Sequence, residues 1–199
     1  PILACSGLTT YSAVRKLQPC SPKDWIVVMG AGGLGLMAIA MLKALGHENI
    51  AVCEIDASKA DAARQMGALE VFNPLEEGAL QKLQALSGGV WGVVDLVGAE
   101  STASLGIASL RKGGRYVVVG LYGGELPMSI VPIAQRAITI MGSYVGSVQE
   151  LKEVVALAQS GKLKPIPTAL CTPAEISGVL DKLKAGQVLG RVVAKLEGA

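Results

Sequence analysis

Three glycines and one carboxylate carry the clearest chemistry in this sequence. Gly30, Gly32 and Gly35 (with Gly33 among them) follow the apolar run Trp25-Ile26-Val27-Val28-Met29, and a helix-forming run from Leu36 to Leu45 begins at once. Strand, glycine turn and helix in that order are the context in which Gly-x-Gly-x-x-Gly predicts a dinucleotide site. Gly30 permits the tight turn out of the strand, Gly32 lets a pyrophosphate approach the backbone, and Gly35 lets the helix lie close against the sheet. The phosphates would rest at the helix N-terminus, where unpaired N–H groups and the helix dipole favour negative charge. Glu54 stands nineteen residues after Gly35, at the end of a second apolar run, Ile50-Ala51-Val52-Cys53. A carboxylate there can accept hydrogen bonds from an adenosine ribose diol and repels a 2′-phosphate, so the pattern predicts NAD over NADP. Ile55 and Lys59 follow closely enough to share that site, and Lys59 is a cation that could still meet a phosphate.

The elements that must position these residues alternate along the chain. Residues 4–17 predict a helix with Leu8, Tyr11, Ala13, Val14 and Leu17 on one side; Pro19 and Pro22 then mark a loop into the first strand. Helix 33–46 ends at Gly46, strand 50–54 follows, and helix 57–66 has Asp56 or Ser58 as cap and Gly67 as stop. Strand 69–73, a helix opened by Pro74 and running to about Leu86, strand 90–98 and helix 101–110 come next. Gly113-Gly114 release strand 115–120, and a loop over 121–135 leads to an edge strand, 137–142. Six strands with intervening helices imply an α/β fold, a doubly wound six-stranded parallel sheet of the Rossmann type. Beyond residue 146 the texture changes to an amphipathic helix over 148–159, a proline-containing linker at 162–167, strand 168–171, helix 173–185 and strand 190–196. These are not needed to complete the sheet. The expected organisation is a joining helix and loop at 1–22, the nucleotide domain at 23–146, and a segment at 147–199 belonging to a neighbouring domain.

Composition narrows the function. The 199 residues carry 18 basic against 16 acidic side chains, near balance and without a basic run, which argues against nucleic acid and anionic membranes as partners. Charged residues are 17% of the chain against a usual value of about 25%, as expected of a sheet buried on both faces and of surface covered by something else. No apolar run is long enough to span a membrane. The start, Pro1-Ile2-Leu3-Ala4-Cys5, has no basic leader and reads as a chain cut from something longer. Cys5, Cys20, Cys53 and Cys171 form no C-x-x-C pair, so a reducing cytoplasm is the expected location. The single histidine, His47, follows Gly46 past a helix end and is expected to be a solvated loop residue.

Taken in order, these residues resemble the C-terminal half of the medium-chain dehydrogenases, specifically the zinc-dependent alcohol dehydrogenases. The markers are Cys5-x-Gly7-x-Thr9-x-Tyr11, the glycine turn with Glu54, Gly120-Leu121, Gly142-Ser143-Tyr144 and Gly190-Arg191-Val192-Val193. The resemblance implies that Cys5 is one ligand of a catalytic zinc whose other ligands come from an N-terminal GroES-like domain that this sequence lacks. It implies that Thr9 approaches the nicotinamide, with Leu34 packed behind the ring. The carboxamide would bond the backbone near Val119, Leu121 and Val145, with Gly120 and Ser143 beside it. Val97 and Gly98 would line the adenosine and ribose side, and Arg191 would reach the pyrophosphate, which suits its guanidinium. The edge strand 137–142 would join two subunits into one sheet as a homodimer.

Three functions follow. The parent protein would oxidise an alcohol to a carbonyl, passing hydride to NAD with zinc as Lewis acid. The chain by itself would be a cofactor-binding and dimerising module without turnover. A zinc-free reductase of quinones or enones using NADPH is a third reading, against which Glu54 and Cys5 both speak.

Overall fold

The apolar runs on either side of the glycine turn become neighbouring strands, β1 (Ile26–Met29) and β2 (Ile50–Cys53), in which every residue is buried. A strand exposes alternate side chains to opposite faces, and here both faces are covered. Ile26 and Val28 pack under α1 (Leu8–Arg15) and α2 (Gly33–Ala44); Val27 and Met29 look the other way, towards Leu83, Ile107 and Tyr116. The computed structural model describes residues 2–196 of the chain. Pro1 and residues 197–199, at the two ends of the expected outer segments, lie outside the described residues.

Four further strands complete the sheet: β3 (Glu70–Phe72), β4 (Val90–Asp95), β5 (Leu110–Val118) and β6 (Thr139–Gly142). All pair in parallel, in the order β3-β2-β1-β4-β5-β6. The crossovers carry α3 (Ala57–Gln65), α4 (Ala79–Ala85), α5 (Glu100–Ser109) and the short α6 (Val131–Arg136). This is the doubly wound Rossmann sheet the alternation implies. Its order reverses between β1 and β4, and the crevice at that switch point is where such sheets take ligands. After the sheet come α7 (Val148–Gln159) and a separate parallel pair, β7 (Thr168–Cys171) and β8 (Arg191–Ala194). A 3₁₀ turn (Pro173–Glu175) and α8 (Ile176–Lys184) connect that pair.

Several boundaries differ from the sequence reading, each for a local reason. The first helix begins as a π-helical turn at Leu3–Gly7 and ends at Arg15. Pro74 does not open a helix: Asn73 accepts the Leu75 N–H in a turn, and α4 starts only after Gly78, whose φ is +78°. Gly113-Gly114 lie inside β5, where the register against β4 slips between Val90 and Gly92. The 121–135 stretch contains the start of α6, which Ala137 closes in the left-handed conformation (φ +48°), delaying the edge strand to Thr139. His47 is not a solvated loop residue. It is 4% exposed and lies 3.9 Å from the Cys20 sulfur, and burial lowers its pKa below 6.5. Gly46 turns the chain inward there, and the His47 N–H closes on the Leu42 carbonyl of α2. All four cysteines are free. Among the described residues no helix is long and apolar enough to cross a membrane.

Candidate functional site

The glycine turn and Glu54 meet at the switch point and lock each other. Gly30 leaves β1 with φ +86°, and α2 begins at Gly33. A Cβ on Gly35 would overlap the Gly30 carbonyl oxygen, so only glycine lets helix and strand come this close. Glu54 lies just past β2 and accepts three backbone N–H groups: Ala31 at 2.6 Å, Ile55 at 2.8 Å and Asp56 at 2.9 Å. The carboxylate is thereby held in one orientation beside the turn. Asp56 accepts from Lys59 N at 3.0 Å as the N-cap of α3, which brings Lys59 to the same rim; its carboxyl is held below the ordinary range by the bonds from Ser58 and Lys59.

Arg191 enters from the far end of the chain. The first residue of β8, it lies against Gly33, where a Cβ would overlap its side chain. Its Nε is buried and, among the described residues, has no hydrogen-bond partner. A buried guanidinium nitrogen without an acceptor, set at the start of a twelve-residue helix, calls for an anion. Nothing lies within 4 Å of where a Cβ on Gly32 would point, so the backbone is open to one. Gly30, Gly32, Gly33, Leu34, Gly35, Glu54, Lys59, Val97 and Arg191 all line one cleft of about 740 Å³. That is within the usual range for a small-molecule site, about 300–1,000 Å³. These residues fit a dinucleotide.

Sequence reasoning missed the group that holds the opposite rim. Asp95, at the end of β4, is fully buried. One carboxylate oxygen accepts Val97 N (2.9 Å) and Gly98 N (2.8 Å); the other accepts the Thr102 and Tyr116 hydroxyls, both at 2.7 Å. Burial first, and the bond to Asp95 second, push the Tyr116 phenol well above its ordinary range. The Asp95 carbonyl also accepts from Val119 and Gly120. One residue thus fixes both loops, Val97–Gly98 and Val119–Gly120, and Gly98 and Gly120 touch back to back. The available signal was an acid closing an otherwise apolar strand.

The other expected residues are more scattered. Ile55 is exposed and lines a smaller cavity that shares Glu54 with the cleft; Leu121 is exposed and outside the cleft lining. Thr9 is buried in the first turn of α1. Ser143 is buried; its hydroxyl receives Lys16 Nζ at 3.0 Å and its N–H bonds the Val118 carbonyl. Val145 holds φ +51°, a strained conformation for a β-branched residue. Cys5 is exposed on the π-helical turn. Among the described residues no three His, Cys, Asp or Glu side chains are grouped to hold a metal. A catalytic zinc takes three protein ligands, so these residues do not fit a whole zinc site.

Fold and cleft together define a nucleotide-binding Rossmann domain. The sequence model of the family described as zinc-binding dehydrogenase matches residues 33–160, and the chain belongs to that family. It is 36% identical over 194 residues to an alcohol dehydrogenase of Geobacillus stearothermophilus, covering 97% of this chain and 56% of that one. It is 35% identical over 193 residues to an NAD-dependent alcohol dehydrogenase of Saccharolobus solfataricus, covering 96% and 56%. Among solved structures, the alcohol dehydrogenase of Aeropyrum pernix superposes with a TM-score of 0.90 at 31% identity, over 98% of this chain and 56% of that one. The chain therefore spans about half the length of the curated relatives it matches.

Proposed function

We propose that the cleft binds NAD(H) and that this chain is the cofactor-binding part of an alcohol dehydrogenase. The observation that carries the reading is the buried, unpartnered Arg191 Nε beside the open glycine turn. Arg191 and the N–H groups opening α2 would take the pyrophosphate. Glu54, already oriented by three N–H donors, would accept the ribose hydroxyls and repel a 2′-phosphate. Lys59 would stand beside the same ribose, with Ile55, Val97 and Gly98 around the adenosine. At the other end Leu34 would pack behind the nicotinamide, Thr9 would approach it, and backbone groups near Val119, Gly120, Leu121, Ser143 and Val145 would hold its carboxamide. When bound, the cofactor supplies hydride transfer; these residues bind it, orient its ring and keep water from its buried face.

Cys5 would be one ligand of a zinc ion whose other donors stand outside this chain, and the alcohol or carbonyl substrate would meet the ring there. The relatives named above as alcohol dehydrogenases support the substrate class, and the family's description as zinc-binding supports the metal. Segments 1–22 and 147–199 would belong with a catalytic domain, and the edge of β6 would pair two subunits. Titration of the chain and its Arg191→Gln variant with NADH tests the proposal. The expected result is NADH binding weakened about tenfold or more in the variant; equal affinity would remove Arg191 from the site.

A further inference from the structure

The cleft has a second wall that the glycine turn does not supply. α8 turns Ile176, Val179, Leu180 and Leu183 to the cleft, at the i, i+3, i+4, i+7 spacing of one helical face. None is buried by protein: Leu180 and Leu183 are 57% and 55% exposed. The opposite flank of α8 behaves differently. Gly178 and Lys182 front a separate groove against β7 and β8, which Val179 also borders; Ile176, Leu180 and Leu183 line only the cleft with the glycine turn. An isolated nine-residue helix is marginal in water, and stability must come from covering its apolar face. What stands opposite identifies the cover. Glu54 and Lys59 line the facing wall and Arg191 the same cleft, and the chain leaving α8 at Gly186 comes so close that a Cβ there would lie 3.8 Å from Lys59 Nζ. The C-terminal end of α8 therefore overhangs the ribose end of the cleft.

We propose that α8 is the second wall of the nucleotide site, with Leu180 and Leu183 packing on the adenosine half of the dinucleotide. This rests on the reading of the cleft as an NAD(H) site. The polar wall satisfies diol and phosphates; the flat apolar faces of an adenine need apolar cover, and α8 offers it at the matching end.

The test uses the whole chain, a Leu180→Gln/Leu183→Gln variant and a Leu180→Met/Leu183→Met variant, titrated calorimetrically with NADH and with ADP-ribose. Both positions are more than half exposed, so without nucleotide all three proteins should melt together. The glutamine variant is expected to bind both ligands about tenfold more weakly, and the methionine variant to stay within about threefold of the parent. A parent that binds NADH with a glutamine variant that binds it equally overturns the inference and leaves the NAD reading standing. A parent that binds no NADH overturns both. A glutamine variant that loses affinity only together with its melting temperature also overturns it, because the leucines would then support the fold instead of the ligand.

Discussion

Glu54 holds the turn through three backbone N–H groups, and in the proposed NAD(H) site the same carboxylate would select the cofactor. Glu54→Ser removes the charge that would repel a 2′-phosphate in that site and frees the N–H groups of Ala31, Ile55 and Asp56 that converge on it. Converging backbone N–H groups form an anion site. The ratio of NADH to NADPH affinity should therefore fall at least about tenfold in the serine variant, measured by titration with both. Asp95 is the structural counterpart. Asp95→Ala strands the Tyr116 and Thr102 hydroxyls and two loop N–H groups, and should cost at least about 3 kcal/mol in denaturant unfolding. His47 sets a pH dependence. Burial lowers its folded-state pKa below 6.5 against the opposing Asp24 charge and Ser21 backbone hydrogen bond, so the unfolded chain takes the proton first. Stability should hold above about pH 6.5 and decline below it until folded His47 itself protonates. The depressed carboxylates, Asp56, Glu150, Glu153 and Glu175, act in the same direction but only below their ordinary values of 3.8 to 4.5. Unfolding of His47→Gln between pH 4.5 and 6.5 should show a flatter limb than the parent; an unchanged slope would assign that limb elsewhere.

At the scale of elements, the turn and the caps decide local geometry. Gly35→Ala forces α2 away from β1 and should lose at least about 2 kcal/mol, with NADH binding falling in parallel. Ser147 caps α7, accepting the Glu150 N–H at 3.2 Å in a reciprocal capping box. Ser147→Ala should cost about 1 kcal/mol in a denaturant midpoint shift and leave nucleotide binding unchanged. Elements with strong periodicity or punctuation were readable in sequence: the buried strands β1 and β2, the glycine turn with Glu54, and α7. The misread ones turned on competing local turns or on tertiary contacts. His47 is polar and follows a helix stop, yet Gly46 directs it into the core. Pro74 looks like a helix opener, but the Asn73 turn captures the backbone first. The roles of Asp95 and of the α8 face depend on which loops the sheet brings together, and no local spacing announces that.

At the scale of the molecule, two features stand apart from the sheet's core. β6 ends the sheet at an open edge, its residues half-buried or exposed, and a strand edge with unpaired backbone groups pairs readily with another. Sedimentation of the chain should give the mass of two copies; a single-copy mass would remove the edge-pairing proposal. The β7–β8 pair and α8 form no part of the six-stranded sheet, yet they close the cleft through Arg191. The cleft is therefore built from the six-stranded sheet and the C-terminal segment together, and in the proposed function binding should depend on both. The most direct test of this account is calorimetric titration of the intact chain with NADH and, separately, with NADPH. The account predicts that NADH binds at least about tenfold more tightly than NADPH. Binding of neither cofactor, or a preference for NADPH, would contradict it.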